Sequence, residues 1–237
     1  MPAGSAEARV KAIESEGATV TVIDGSYDEA VERAKADAGE RCLVVSDTSW
    51  DGYTRIPALV AEGYETIFAE ADAQLAGTGE APPTHVLVQI GVGALAVAAV
   101  DHFRGRATII GVEPDGADCV LQSAAAGNVV SVPGPHTSVM AGLNCGTPSL
   151  IAWPIMRDGI AVFVAVDDAR ALDAMRALGA DGIVSGETGA SGAAGLMAVM
   201  ASHREAAGLD ADARVLLLST EGATDPAFYE RITGRRP

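Results

Sequence analysis

Apolar, β-branched runs alternate along the chain with alanine-rich segments of helical period, and this alternation restricts the fold more than any other feature of the sequence. The runs are Ala18 to Ile23, Cys42 to Ser46, His85 to Ile90, Ala107 to Val112, Ala161 to Val166, Gly182 to Ser185 and Arg214 to Ser219. They lack an apolar/polar alternation, so they are expected as buried strands of mostly parallel sheets. Helices are expected at Ser5 to Glu16, Ser26 to Asp37, Thr54 to Leu75, Gly93 to Phe103, Asp168 to Leu178, Gly189 to Ala206 and Pro226 to Ile232. Strand and helix in this order indicate an α/β fold. The segment Ala76-Gly-Thr-Gly-Glu-Ala-Pro-Pro83 has linker chemistry and divides a small unit, residues 1–76, from a larger one, residues 77–237.

Composition narrows the function. A formal charge of -16 repels the phosphate backbone of nucleic acid and anionic membrane surfaces. The longest apolar stretch, Val86 to Val100, is interrupted by Gln89, Gly91 and Gly93 and falls short of the roughly 20 residues that span a bilayer. The opening Met1-Pro-Ala-Gly-Ser-Ala-Glu7 has neither a basic nor an apolar leader region, so the expected location is the cytoplasm. Cys42, Cys119 and Cys145 show no CxxC spacing, and the four histidines show no HxH or HExxH spacing; no metal site is expected, and a Cys119–Cys145 bridge is a minor possibility.

The sharpest local feature is His85-Val-Leu-Val-Gln-Ile-Gly-Val-Gly-Ala-Leu-Ala96, a strand running through a glycine turn into a helix. Such a turn holds phosphate, because glycines let backbone N–H groups approach the anion at the positive end of a helix dipole. Three readings fit it. Gly91-x-Gly93-x-x-Ala96 with Glu113 about 20 residues on matches a dinucleotide site. The same loop suits a monophosphate, and it also suits a tight turn that only packs helix on sheet. Asp47, just beyond an apolar run, is placed for acid/base work or, like Asp51, for capping the helix that begins near Thr54. The tails Ser185-Gly-Glu-Thr-Gly-Ala-Ser-Gly192 and Ser219-Thr-Glu-Gly-Ala-Thr-Asp225 add two more polar strand ends, which parallel strands bring to one side.

In order, the segments Arg9-Val-Lys-Ala-Ile13, Gly17-Ala-Thr-Val20, Asp47-Thr-Ser-Trp-Asp-Gly-Tyr-Thr-Arg-Ile-Pro57, Pro83-Thr-His-Val86, Gln89-Ile-Gly-Val-Gly93, Val112-Glu-Pro-Asp-Gly-Ala-Asp-Cys119, Met140-Ala-Gly-Leu-Asn-Cys-Gly146, Ser185-Gly-Glu-Thr-Gly-Ala190 and Ser219-Thr-Glu-Gly-Ala-Thr-Asp225 resemble the diaminopropionate ammonia-lyases. These are fold-type II pyridoxal-phosphate enzymes related to threonine dehydratases and cysteine synthases. The resemblance covers nearly the whole chain and implies a two-domain, tryptophan synthase β-like fold and a homodimer. It implies α,β-elimination of 2,3-diaminopropionate to pyruvate and ammonia with pyridoxal 5'-phosphate as electron sink. It gives Asp47 an acid/base role and makes Gly91, Val92, Gly93, Ala94 and Leu95 the phosphate turn. Glu187, Ser219 and Thr220 would border the pyridine ring. Ile90 and Val97 depart from the small residues usual in the family and are expected to crowd the turn.

The resemblance also implies a Schiff-base lysine, a second aspartate and an asparagine-glycine loop upstream of the matched region, so an N-terminally truncated and inactive chain is expected. Of the 16 lysines and arginines only Lys11 and Lys35 are lysines, both on helix faces that read as solvated. Sheets lacking strands would expose edges and favour aggregation. Two other functions are open from the sequence: a non-catalytic phosphate or small-molecule binder, and an NAD-dependent oxidoreductase using Gly91, Gly93, Ala96 and Glu113.

Overall fold

The computed structural model describes residues 1–237. Its centre is a four-stranded parallel sheet made of β1 (His85–Gln89), β2 (Thr108–Pro114), β3 (Val162–Val166) and β4 (Val215–Leu217), in the order β3-β2-β1-β4. Every residue of β1 is buried, as a central strand covered on both faces requires. Alternate residues serve opposite cores. Val86, Val88 and Ile90 join one cluster with α3 (Arg55–Thr78), α4 (Ala94–Phe103) and α6 (Ala152–Gly159). Leu87, Ile110 and Val112 join the other with α7 (Asp168–Ala180), α8 (Ser191–Ser202) and α9 (Pro226–Thr233). Phe68 of α3 is fully buried edge-to-face against Phe103 of α4, which binds α3 to the core of the sheet.

The strand order locates a binding crevice. The chain moves from β1 outward through β2 to β3, then returns to the opposite side of β1 for β4. The carboxyl ends of β1 and β4 therefore flank a topological switch point, where connections leave to opposite sides and open a crevice. The glycine turn follows β1 and Ser219-Thr220 follows β4.

Before the sheet lie α1 (Glu7–Ser15) and α2 (Tyr27–Asp37). Ser26 and Glu29 close a reciprocal capping box on α2. Three expected strands do not form. Ala18 to Ile23 pairs only with the first residue: the Met1 amino group donates to Thr21 O, and Ile23 N donates to Met1 O. Cys42 to Ser46 has only the isolated Gly39–Cys42 bridge, leaving Leu43 78% and Val45 71% exposed. Apolar content favours a strand only when a neighbouring strand completes the ladder, and none flanks these runs. At the third site Gly182, at φ +80°, ends α7 and Ile183 N bonds Leu178 O, so the short run is absorbed in a helix cap.

Sequence reading also missed α5 (Cys119–Ala126) and α6. Pro154 near the start of α6 reads as a breaker, yet the first turn needs no donor from it. The expected Gly189–Ala206 helix is shorter, α8 ending at Ser202. All three cysteines are free thiols, with Cys119 and Cys145 buried. No helix is long and apolar enough to cross a membrane.

Candidate active site

β1 delivers the chain into Gly91-Val92-Gly93, and α4 begins at Ala94. Gly93 sits at φ +110°, and a Cβ there would lie 2.6 Å from Met156 Sδ. Only glycine turns the chain here so closely against α6. A Cβ on Gly91 would likewise press on Gly142 O and Cys145 Sγ at 3.1 and 3.3 Å. The N–H groups of Gly91, Val92 and Gly93 bond to no backbone or side-chain acceptor, and no side chain caps α4. Three free donors at a helix N-terminus, held open by glycines, match the needs of a phosphate ester.

The opposite wall comes from β4 and the 185–190 loop. Gln89 Nε2 donates to Thr220 Oγ1 at 2.7 Å and to Leu218 O at 3.3 Å, tying the end of β1 to the end of β4. Its buried Oε1 has no partner, leaving an acceptor at the crevice. Ser219 Oγ donates to Ser185 Oγ at 2.8 Å. Glu187 is buried and lies 3.3 Å from Arg9 of α1. Burial raises its carboxyl above the usual range, while its own backbone N–H and Arg9 oppose the rise and Glu221 and Asp225 add to it.

Asp47 is half-buried and accepts a hydrogen bond from Tyr27 Oη at 3.2 Å. Burial foremost, then the Asp47 charge, raises the Tyr27 phenol, so it stays protonated as a donor. Ser49, two residues on, donates its N–H to Ser149 Oγ at 3.0 Å, shares a 2.8 Å hydroxyl contact with it, and accepts from Ile151 N. Ser149 N donates to Val92 O at 2.9 Å. The Asp47 segment is thus fastened to the glycine turn through two buried serines distant in sequence.

Asp47 and Ala94 line one cavity of about 530 Å³ with Ser149 and Val97. Thr220, Thr188, Gly142 and Ser46 line a neighbouring cleft of about 1330 Å³. The structure therefore gathers the turn with Asp47, and the turn with Thr220 through Gln89, while Asp47 and Thr220 face adjacent spaces. Arg9, Gln89, Ser49, Ser149 and Tyr27 were absent from the expected site. Gln89 alone carried a legible signal, as a polar residue inside an apolar strand. No cluster of three or more His, Cys, Asp or Glu is arranged to hold a metal.

A family model described as pyridoxal-phosphate dependent enzyme matches residues 1–221. The chain belongs to that family. Curated relatives of the pyridoxal-phosphate dependent enzymes include the diaminopropionate ammonia-lyases of Salmonella typhimurium, 39% identical over 98% of this chain and 62% of the relative, and of Escherichia coli K12, 40% identical over the same shares. The chain spans 62% of the length of these relatives. The crystal structure of the Escherichia coli ammonia-lyase in complex with an aminoacrylate-PLP azomethine reaction intermediate superposes with a TM-score of 0.88 at 39% identity, over 98% of this chain and 63% of that one. A fungal L-serine ammonia-lyase from Rhizomucor miehei has the same fold, with a TM-score of 0.80 at 19% identity over the whole chain and 73% of that one.

The family's cofactor is pyridoxal phosphate, and the free N–H groups of the turn suit a phosphate group. The dinucleotide reading loses its second element. Glu113 is 1% exposed, and its two carboxylate oxygens accept from Val120 and Leu121 N at the head of α5, at 2.9 and 2.7 Å. It caps a helix and is buried too deeply to meet a ribose. The expected crowding by Ile90 also fails. Its side chain packs into the α3/α4/α6 core beside Gly111, whose missing side chain makes the room. Neither lysine approaches as an amine for the aldehyde. Lys11 pairs with Glu7 at 2.6 Å with its side chain 69% exposed, and Lys35 pairs with Glu32 at 3.5 Å.

Proposed function

We propose that these 237 residues form the phosphate cradle and one acid/base wall of an ammonia-lyase that eliminates across Cα and Cβ of 2,3-diaminopropionate, giving pyruvate and ammonia. The observation that carries this reading is the turn of three unpaired N–H groups at the switch point, in a chain 40% identical to a diaminopropionate ammonia-lyase. In that role Gly91 to Leu95 would hold the phosphate, Ser219, Thr220 and Glu187 would border the pyridine ring, and Asp47 would exchange a proton with substrate. When bound, pyridoxal phosphate supplies the electron sink that lets the Cα proton leave. The Tyr27 hydroxyl on Oδ1 orients the Asp47 carboxylate and leaves Oδ2 for proton transfer.

Residues 1–76 then belong to a smaller unit and residues 77–237 to the large cofactor unit, the two joined through α3, whose Ala61 and Phe68 lie in the core of the larger one. Neither lysine is placed to serve as the Schiff-base amine, because both are exposed and paired on helix surfaces. By itself the chain is therefore a phosphate-ester binder without turnover. The complete enzyme is read as a cytoplasmic homodimer.

Parallel titrations of the chain with pyridoxal phosphate and with NAD, followed by borohydride reduction, test this. Saturable binding of pyridoxal phosphate alone, with no trapped adduct, is expected. Saturation by NAD, or an adduct on Lys11 or Lys35, contradicts it.

A further inference from the structure

Helix α1 fully buries no side chain, Ala8 and Val10 being only partly covered, so apolar packing holds it weakly. One residue, Arg9, carries all its side-chain hydrogen bonds to the rest of the molecule. Its NH2 group donates to Glu221 Oε1 at 2.8 Å and to Glu187 Oε2 at 3.3 Å, and its Nε donates to Thr224 Oγ1 at 3.1 Å. Thr224 Oγ1 itself donates to Glu221 Oε1. The side chains of Glu187 and Glu221 are only 8% and 15% exposed, so each carboxylate is largely withdrawn from water and repels the other. A guanidinium with several fixed donors suits such a pair better than a lysine point charge.

The contact continues inward. Glu221 Oε2 accepts from Thr188 N at 3.2 Å, and Thr188 Oγ1 accepts from Gly142 N at 3.1 Å. The carbonyl of Gly142 abuts Gly91, the first residue of the glycine turn. Glu221 also follows Thr220, the partner of Gln89. Arg9, Gly142, Thr188, Thr220 and Glu221 all border the same cleft.

We propose that Arg9 is a positioning residue that couples docking of α1 to the shape of the phosphate turn, through Glu221, Thr188 and Gly142. This rests on the cofactor reading above. It makes the pocket conditional: with α1 undocked, Glu187 and Glu221 lose their counter-charge, the Glu221–Thr188–Gly142 chain of hydrogen bonds loosens, and Gly142 no longer backs Gly91, while the Gly186–Glu221 backbone bond and the Ser219–Ser185 bond still join the two loops.

Hydrogen exchange and pyridoxal phosphate binding, measured on the chain and on Arg9→Ala and Arg9→Lys, test the coupling. In Arg9→Ala the amides of Thr188 and Gly142 should lose protection while β1 and α8 keep theirs. Affinity for pyridoxal phosphate should fall on the order of tenfold or more. That loss should lessen as pH is lowered, because burial raises the Glu187 carboxyl and its protonation relieves the repulsion between the two side chains; the charged groups facing Glu187 are Arg9, Glu221 and Asp225. A purely structural lesion would give no such recovery. Arg9→Lys should restore part of the affinity and protection. Unchanged exchange at Thr188 and Gly142 overturns the latch, and lost protection with unchanged affinity overturns its coupling to the turn. If the unaltered chain binds no pyridoxal phosphate, the cofactor reading fails and the coupling with it, while exchange still decides whether the latch exists.

Discussion

Gly93 concentrates two demands in one position, a φ of +110° and an approach that leaves no room for a Cβ against Met156. Gly93→Ala is expected to cost about 1–3 kcal/mol of stability and to abolish pyridoxal phosphate binding, read by thermal melting and titration. Glu113 tests a different property. Burial pushes its carboxyl up to about 8, against the pull of the two N–H groups it caps. A carboxyl with a raised folded pKa gives stability that is full below its unfolded value, near 4.5, and lost as pH rises through about 8. The melting temperature should therefore fall between about pH 5 and pH 8, with a shallower slope in Glu113→Gln; an identical slope would count against the burial argument. Residue types in the sequence left Glu113 open between a ribose ligand and a strand end. The choice depended on the position of α5, which sequence periodicity did not reveal.

At the scale of elements, β1 and β2 were legible because their residues are buried on both faces of the sheet, and β3 and α4 because a β-branched run and an alanine-rich apolar run mark them although each keeps a partly exposed side. The runs Ala18 to Ile23 and Cys42 to Ser46 carry the same marks but no strand lies beside them, and pairing is a property of neighbours. The link between the Asp47 segment and the turn was invisible for the same reason, since Ser49 and Ser149 are ordinary residues until the fold joins them. Ser49→Ala removes the hydroxyl contacts to Ser149 and Ile151 N. It should lower stability by about 1–3 kcal/mol, measured by denaturant unfolding, and loosen the segment that bears Asp47. Unaltered stability would show that the backbone bond from Ser49 N to Ser149 suffices.

For the whole molecule, the order β3-β2-β1-β4 explains why residues from separate stretches of sequence border two adjacent spaces at the ends of β1 and β4. Glycine-rich strand ends made a shared pocket readable before the topology was known, whereas its closure by Arg9 from α1 depended on tertiary placement alone. Lys11 and Lys35 are both exposed and paired on helix surfaces, away from the glycine turn. The central claim, that the cofactor phosphate sits on the turn after β1, is tested most directly by amide NMR. Adding pyridoxal phosphate should shift the N–H signals of Gly91, Val92 and Gly93 saturably, and unphosphorylated pyridoxal should leave them in place. Equal shifts with both compounds, or shifts confined to other parts of the chain, would contradict the account.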